Sequence, residues 1–253
     1  MESTVRLVTW NILHGGGPKR TPAIGLALHE LAADLVVLTE FRTARGGQIR
    51  AQLADAGLEH QAVAPGREGG NGMLMACRER LEAVDQPGDM GGVGGRWLRA
   101  RVPAWGLEVL GVHVPDDGNP GRKAGFWRRV IGVGRGSAGC RLIVLGDFNT
   151  GRRGQDGDEF GCEALLGTFV TLGFVDAWRV VNPQGRENSW EGPQGQGRID
   201  TAYLSPLLRD ALVDARYEHR LRLDRLSDHS PLIVTIRTAR NGEAERRAGL
   251  FSG

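Results

Sequence analysis

Apolar and polar residues follow two rhythms along this chain. Val5 to Asn11 changes character at nearly every residue, the two-residue period of a half-buried strand. Pro22 to Ala33 instead sets Ile24, Leu28 and Leu31 on one helical face. Leu35 to Thr39 is a short unbroken apolar run of the buried-strand type, and Ile49 to Ala56 reads as an amphipathic helix stopped by Gly57. His60–Ala64, Gly72–Cys77, Trp97–Val102 and Leu107–Val112 follow as strands, separated by glycine-rich connections such as Gly88 to Gly95. Phe126 to Val133 and Glu163 to Leu172 have helical spacing, and Gly173 ends the second. Arg141 to Leu145 is an apolar run that stops at Gly146-Asp147; Ile199–Leu204 and Leu232–Ile236 read as the last strands.

Strands and helices interleave, but several strands follow one another directly. That mixture predicts one α/β domain over residues 1–238, with hairpins as well as crossovers and helices on the outside. A polar tail occupies 239–253. No Pro/Ser-rich linker or short internal repeat divides the chain.

Composition narrows the function classes. With 253 residues, 40% hydrophobic and 25% charged, the chain can bury a large core without disulfides or structural metal. No apolar run approaches bilayer length, which excludes a helical membrane span. Met1 to Arg6 carries no leader-like segment, so a cytoplasmic protein is expected. The three cysteines, Cys77, Cys140 and Cys162, are far apart and form no CxxC pair, which fits a reducing compartment. A net charge of +2 is too small for a strong nucleic-acid-binding field. Lys19 and Lys123 are the only lysines; codon usage explains this arginine bias more simply than phosphate recognition does.

The chemistry lies at the strand ends. Asn11 follows Leu7-Val8-Thr9-Trp10, and Glu40 follows Leu35-Val36-Val37-Leu38-Thr39. His113 follows Val109-Leu110-Gly111-Val112, and Asp147 and Asn149 follow Leu142-Ile143-Val144-Leu145-Gly146. Asp200 lies in Arg198-Ile199-Asp200, and Asp228-His229 precedes Ser230-Pro231-Leu232. One such residue is an ordinary turn former. Six places rich in Asp, Glu, Asn and His point to a site, because strand ends commonly present functional side chains. The set suits hydrolysis of a phosphate ester. Hard oxygen donors such as Glu40 and Asp228 suit Mg²⁺ or Mn²⁺. Asp147 can orient or deprotonate water, and Asn149 can hold that carboxylate or a phosphate oxygen. A His229–Asp200 pair favours a protonated imidazole beside developing anionic charge.

These segments together resemble the endonuclease/exonuclease/phosphatase superfamily. The matching motifs are Thr9-Trp10-Asn11-Ile12, Leu38-Thr39-Glu40, Gly111-Val112-His113-Val114-Pro115, Gly146-Asp147-Phe148-Asn149, Arg198-Ile199-Asp200 and Ser227-Asp228-His229-Ser230-Pro231. They come in the family's order. The resemblance implies a four-layer α/β sandwich, two mixed sheets face to face and flanked by helices. It implies Glu40 as principal metal ligand with Asn11 and Asp228 close to the metal or to a second site. Asp147 and Asn149 then handle water and scissile phosphate, and His229, held by Asp200, contacts phosphate. His113 stands where exonuclease III-like members carry tyrosine and where deoxyribonuclease I, sphingomyelinases and the 5-phosphatases carry histidine.

The substrate expected first is DNA, cleaved endo- or exonucleolytically, with no membrane and no obligate protein partner. The alternatives are a small phosphorylated metabolite or lipid head group, or a catalytically silent binding module on the same fold. The stretch Thr150–Cys162 is shorter than the insertion with which exonuclease III-like enzymes engage DNA, whereas Asn188-Ser189-Trp190 before Gly197-Arg198 resembles that branch. Trp190, Arg198 and Arg42 are candidate substrate contacts. His14 with Gly15-Gly16-Gly17 reads as a rim loop rather than a phosphate cradle. His29, His60 and His219 read as surface or core histidines, and Arg216 to Arg225 as a solvated face. Trp10, Trp97, Trp105, Trp127 and Trp178 read as packing residues.

Overall fold

The computed structural model describes residues 3–85, 94–137 and 139–238; most of the Gly88–Gly95 connection and the tail 239–253 lie outside them. In chain order the first half runs β1 (Thr4–Asn11), α1 (Gly17–Glu30), β2 (Leu35–Phe41), α2 (Gly47–Asp55), β3 (His60–Ala64), β4 (Gly72–Cys77), β5 (Glu82–Asp85), β6 (Trp97–Val102) and β7 (Leu107–His113). The second half runs α3 (Pro120–Gly136), β8 (Leu142–Asp147), α4 (Glu163–Val170), β9 (Val175–Asp176), α5 (Ala177–Val181), β10 (Trp190–Gly192), β11 (Gly195–Gly197), β12 (Asp200–Leu204), β13 (Leu212–Tyr217), α6 (Arg220–Leu223) and β14 (Leu232–Arg237).

Two six-stranded mixed sheets result, ordered β13-β14-β1-β2-β4-β3 and β5-β6-β7-β8-β12-β9. The two-residue strand period assigns each face. Val5, Leu7, Leu35 and Val37 join Val109, Ile143, Leu145 and Ala202 in the core between the sheets. Their neighbours Val8, Trp10, Val36 and Leu38 point the other way, against Ile24, Leu28, Ile49 and Leu53 of α1 and α2. On the second sheet Leu110, Val112, Leu142 and Val144 pack against Phe126, Trp127 and Val130 of α3 and Phe169 of α4. The central strands are therefore apolar on both faces, as strands covered on both sides must be. The four-layer α/β sandwich expected from the sequence is the observed architecture.

Some elements differ from the sequence reading. The helix expected from Pro22 begins at Gly17, with Pro18 in its first turn and Pro22 inside it. The helix expected from Phe126 begins at Pro120, where the Asn119 side chain accepts a bond from Arg122 N at 3.0 Å. Gly121 and Gly125 dilute the apolar stripe of that first turn and a half, which hides it from periodicity. Strands β5, β9 and β13 lie at sheet edges, and in the described part of β13 Asp214 and Arg216 break the apolar pattern. The Arg216–Arg225 stretch is thus part strand and part helix, with Arg222 largely enclosed by an ion pair to Glu191. Among the described residues no helix is long and apolar enough to cross a membrane.

Two parallel pairs aim the chemistry. β1 and β2 are parallel across α1, so Asn11 pairs with Thr39, one residue before Glu40. β7 and β8 are parallel across α3, so His113 lies directly beside Asp147. β12 runs antiparallel to β8 and starts where β8 ends, setting Asp200 opposite Asp147. β14 runs antiparallel to β1, so Asp228 and His229, just before β14, reach the same edge.

Candidate active site

The structure brings together residues that are far apart in sequence. Asn11 Nδ2 donates to Asp147 Oδ2 at 2.9 Å and approaches Glu40 Oε1 at 3.4 Å, so one amide bridges carboxylates from the two sheets. Its oxygen accepts from Leu13 N at 3.0 Å, which fixes that orientation. Asn11 therefore presents its donor side to the carboxylates, not an oxygen to a metal. The other oxygen of Asp147 accepts from the backbone N of Asn149 at 2.9 Å. The Asn149 side chain donates instead to Val114 O at 2.9 Å, so its backbone rather than its amide holds the carboxylate. The buried ammonium of Lys123 bonds the Asn149 carbonyl and Asp117, pinning this loop from below.

His229 Nδ1 meets Asp200 Oδ2 at 2.8 Å, with both side chains buried. Asp200 is held by two further contacts: its N donates to Ser189 Oγ at 2.9 Å, and its carbonyl accepts from Tyr217 Oη at 2.6 Å. Burial works against charge on His229, but the adjacent Asp200 carboxylate outweighs it, with help from Asp147 and Asp228, and pushes the imidazole up to about 9. It is an imidazolium at neutral pH. His113 is the opposite case. Burial, then the nearby Arg96, His229 and Arg122 charges, hold it well below the usual histidine range, so it is neutral. Its Nε2 lies 3.7 Å from Asp147 Oδ2. Asp147 is raised to about 7 by burial and by the like charge of Asp200, against the pull of His229 and the bond from Asn11. A raised imidazole, a depressed imidazole and a raised carboxylate thus share one buried cluster, a pattern typical of acid–base sites.

The donor chemistry suits a divalent cation. Glu40 and Asp147 are oxygen donors joined through Asn11, and the raised Asp147 marks a place short of positive charge. Asp200 Oδ1 is buried with no hydrogen-bond partner among the described residues. Asp147, Asp200 and His229 also offer three atoms within 4.8 Å of one another. An imidazolium bonded to a carboxylate is in no state to ligate, so that trio reads as a proton-handling group and the oxygen donors around Glu40 as the metal side. Asp228 Oδ2 accepts from Trp190 Nε1 at 3.1 Å, and its Oδ1 lies 3.9 Å from His229 Nε2.

Among the candidate substrate contacts, Trp190 is half-buried on the β10–β11 hairpin, its ring centroid 6.4 Å from that of His229. Arg42 is half-buried and donates from Nε to Asn71 Oδ1 at 3.0 Å. Arg198 requires a correction. Its side chain is 2% exposed, ion-paired to Asp156 and Asp176, and stacked over Trp178. It holds the strand β12 entry in place and is spent inside the protein rather than presented to phosphate.

Several site residues were not visible as such in the sequence. His14 is one: its backbone N and its Nδ1 both lie 2.8 Å from Glu40 Oε2, so the glycine-rich segment is part of the site and not merely its rim. Asn71, Lys123 and Arg96 are others; Arg96 Nη1 reaches His113 O at 3.4 Å. His14, Glu40 and Asn149 all have positive φ, at 56°, 58° and 44°. Left-handed backbone at non-glycine residues is a strain signal that clusters at functional sites, and it is set by tertiary structure rather than by local sequence.

The same frame occurs in solved structures. An AP endonuclease from Archaeoglobus fulgidus superposes with a TM-score of 0.79 at 20% identity, over 92% of this chain and 99% of that one. A 3′ phosphatase from Neisseria, NExo, bound to a product DNA hairpin gives 0.77 at 22% identity, over 91% and 98%. The 3′-5′ exonuclease NExo from Neisseria meningitidis gives 0.77 at 22%, over 90% and 98%. At such identities the likeness shows the fold. No curated protein sequence was found to match the chain. The family model of the Endonuclease/Exonuclease/phosphatase family matches residues 8–229, which contain every strand-end residue singled out above, from Asn11 to His229. The family is divalent-metal dependent and its members cleave phosphoric esters. The chain belongs to the Endonuclease/Exonuclease/phosphatase family and is a phosphoric ester hydrolase.

Proposed function

We propose that the protein is a Mg²⁺-dependent enzyme, with Mn²⁺ as a substitute, that hydrolyses phosphoester bonds of DNA by water attack on phosphorus. One observation carries this reading: a carboxylate raised to about 7, Asp147, sits in the same buried cluster as an Asp200-held imidazolium, His229. A carboxylate poised near neutrality accepts a proton from water efficiently. Asn11 and the Asn149 N–H fix both Asp147 oxygens, so one lone-pair direction stays aimed at the water. His229 presents its free Nε2–H to the oxygens that gain charge, and Asp200 keeps that proton in place. Neutral His113 supplies a hydrogen bond from the other side. Glu40 and Asp228 would hold the metal, which would neutralise charge on the phosphate and its leaving oxygen. Trp190 offers a face on which a base can stack.

DNA is favoured because the neighbours of similar fold include a structure bound to a product DNA hairpin. The small net charge of +2 and the compact Thr150–Cys162 loop favour a second reading, a small phosphate ester. Three free cysteines support a reducing compartment such as the cytoplasm. A panel separates the substrates: 5′-labelled oligonucleotides ending in 3′-hydroxyl or 3′-phosphate, one with an internal abasic site, and bis(p-nitrophenyl) phosphate. The DNA reading expects at least one oligonucleotide to exceed the small ester in kcat/KM by 100-fold or more, roughly the 3 kcal/mol that remote binding contacts contribute. Hydrolysis of the small ester alone would overturn it.

A further inference from the structure

Glu40 Oε2 has an unusual neighbour. His14 Nδ1 lies 2.8 Å from it, and His14 N already donates to the same oxygen at 2.8 Å. The groups behind Nδ1 orient the ring. Arg42 Nε donates to Asn71 Oδ1 at 3.0 Å, which turns the Asn71 amide so that its NH₂ faces His14. Asn71 Nδ2 then sits 3.0 Å from His14 Nδ1. A donor at that position requires Nδ1 to carry a lone pair. Nδ1 and Oε2 therefore face each other at 2.8 Å, the spacing of two neighbouring ligand atoms on one cation. Two donor atoms bound at right angles to one Mg²⁺- or Mn²⁺-sized ion are about 3 Å apart. The backbone supports this placement: His14 is held at φ 56° and Glu40 at φ 58°, so both residues are kept in left-handed conformations that set them edge to edge.

We propose that His14 Nδ1 joins Glu40 as a direct ligand of the divalent metal, making the site a mixed nitrogen–oxygen one. Asn71, oriented by Arg42, is the positioning residue that sets the imidazole with Nδ1 toward Glu40. A bound divalent ion would take the Nδ1 lone pair in place of the Asn71 N–H. An imidazole ligand suits Mn²⁺ better than Mg²⁺, which prefers oxygen and retained water. His14 thus tunes the metal preference of the enzyme. The inference rests on the metal reading of Glu40 given above.

Binding of Mn²⁺ and of Mg²⁺ to the full chain is the test, by calorimetry and by pulsed electron paramagnetic resonance of bound Mn²⁺. His14→Gly removes the imidazole, keeps the backbone N–H to Glu40 and relaxes the positive φ. His14→Asn is a second variant, since asparagine also tolerates that backbone. The wild type should show directly bound nitrogen in the Mn²⁺ spectrum. His14→Gly and His14→Asn should lose that signal and bind Mn²⁺ about 10-fold or more weakly, with Mg²⁺ affinity changed much less. Bound Mn²⁺ without a nitrogen signal in the wild type would overturn the proposal, as would a signal that survives in both variants. In either case Mn²⁺ binding that Glu40→Gln abolishes would leave the metal reading standing. A wild type that binds neither ion would overturn both.

Discussion

Replacing Asp200 with asparagine isolates the charge of the pair from its shape. In the wild type His229 rises from 6.5 to about 9 in spite of burial, and Asp200 Oδ2, 2.8 Å from Nδ1, is the foremost cause of that rise. A rise of that size corresponds to about 3 kcal/mol of preference for the imidazolium. Asparagine keeps an acceptor for Nδ1–H but gives up the charge. Burial then dominates, and His229 falls to or below its ordinary value. At pH 7.5 the protonated fraction drops from nearly all to about a tenth or less. The kcat of Asp200→Asn should therefore fall by at least about 10-fold at pH 7.5, and by up to about 1,000-fold if the transition-state contact also loosens. The assay is a kcat profile from pH 5 to 10 on whichever phosphoester the panel selects. The protonation part of the loss should recover below pH 6.5, and the alkaline limb should move down with it. Wild-type kcat at pH 7.5 with an unmoved alkaline limb would refute the reasoning.

Three more outcomes follow from the same geometry. The wild-type kcat/KM profile should be bell-shaped, because turnover needs ionised Asp147, present above about 7, and protonated His229, present below about 9; a metal beside Asp147 shifts the acid limb lower, and a rate still rising past pH 10 would contradict the assignment. Arg198→Met should leave Asp176 without its ion pair in the interior, Asp156 keeping only Arg179, and cost about 3–5 kcal/mol of stability in urea unfolding, with KM unchanged in the folded fraction; a raised KM at unchanged stability would return Arg198 to the substrate. Saturating Mg²⁺ at 100 times its Kd should add about 2.7 kcal/mol and raise Tm by about 5–10 °C, and Glu40→Gln should abolish that rise in a calorimetric scan.

The strand-end residues were legible because each is written next to its own strand. A run such as Leu142–Leu145 announces where the strand stops, and Asp147 follows within two residues. The parallel β1–β2 and β7–β8 pairs then bring those ends to one edge, so fold and chemistry are encoded by the same short segments. His14 was hidden because its approach to Glu40 depends on left-handed backbone at both residues, and no local pattern of side chains records that. Lys123 was hidden because a lysine in a glycine-diluted helix reads as surface, whereas its ammonium is buried under the Asn149 loop. Arg198 was misread for the converse reason. Beside a strand-end motif an arginine suggests phosphate, and the carboxylates that claim it, Asp156 and Asp176, come from loop and edge-strand positions 42 and 22 residues away.

The central claim, that Asp147 directs water onto the phosphorus of a DNA ester, is tested most directly by cleavage of an oligonucleotide in ¹⁸O-water with Mg²⁺. Wild type and Asp147→Ala are compared, with an EDTA control. The account predicts products whose phosphate carries one ¹⁸O, formed by the wild type and absent in Asp147→Ala and in EDTA. DNA left intact by the folded wild type with Mg²⁺ present, or cleavage that persists in Asp147→Ala, would contradict it.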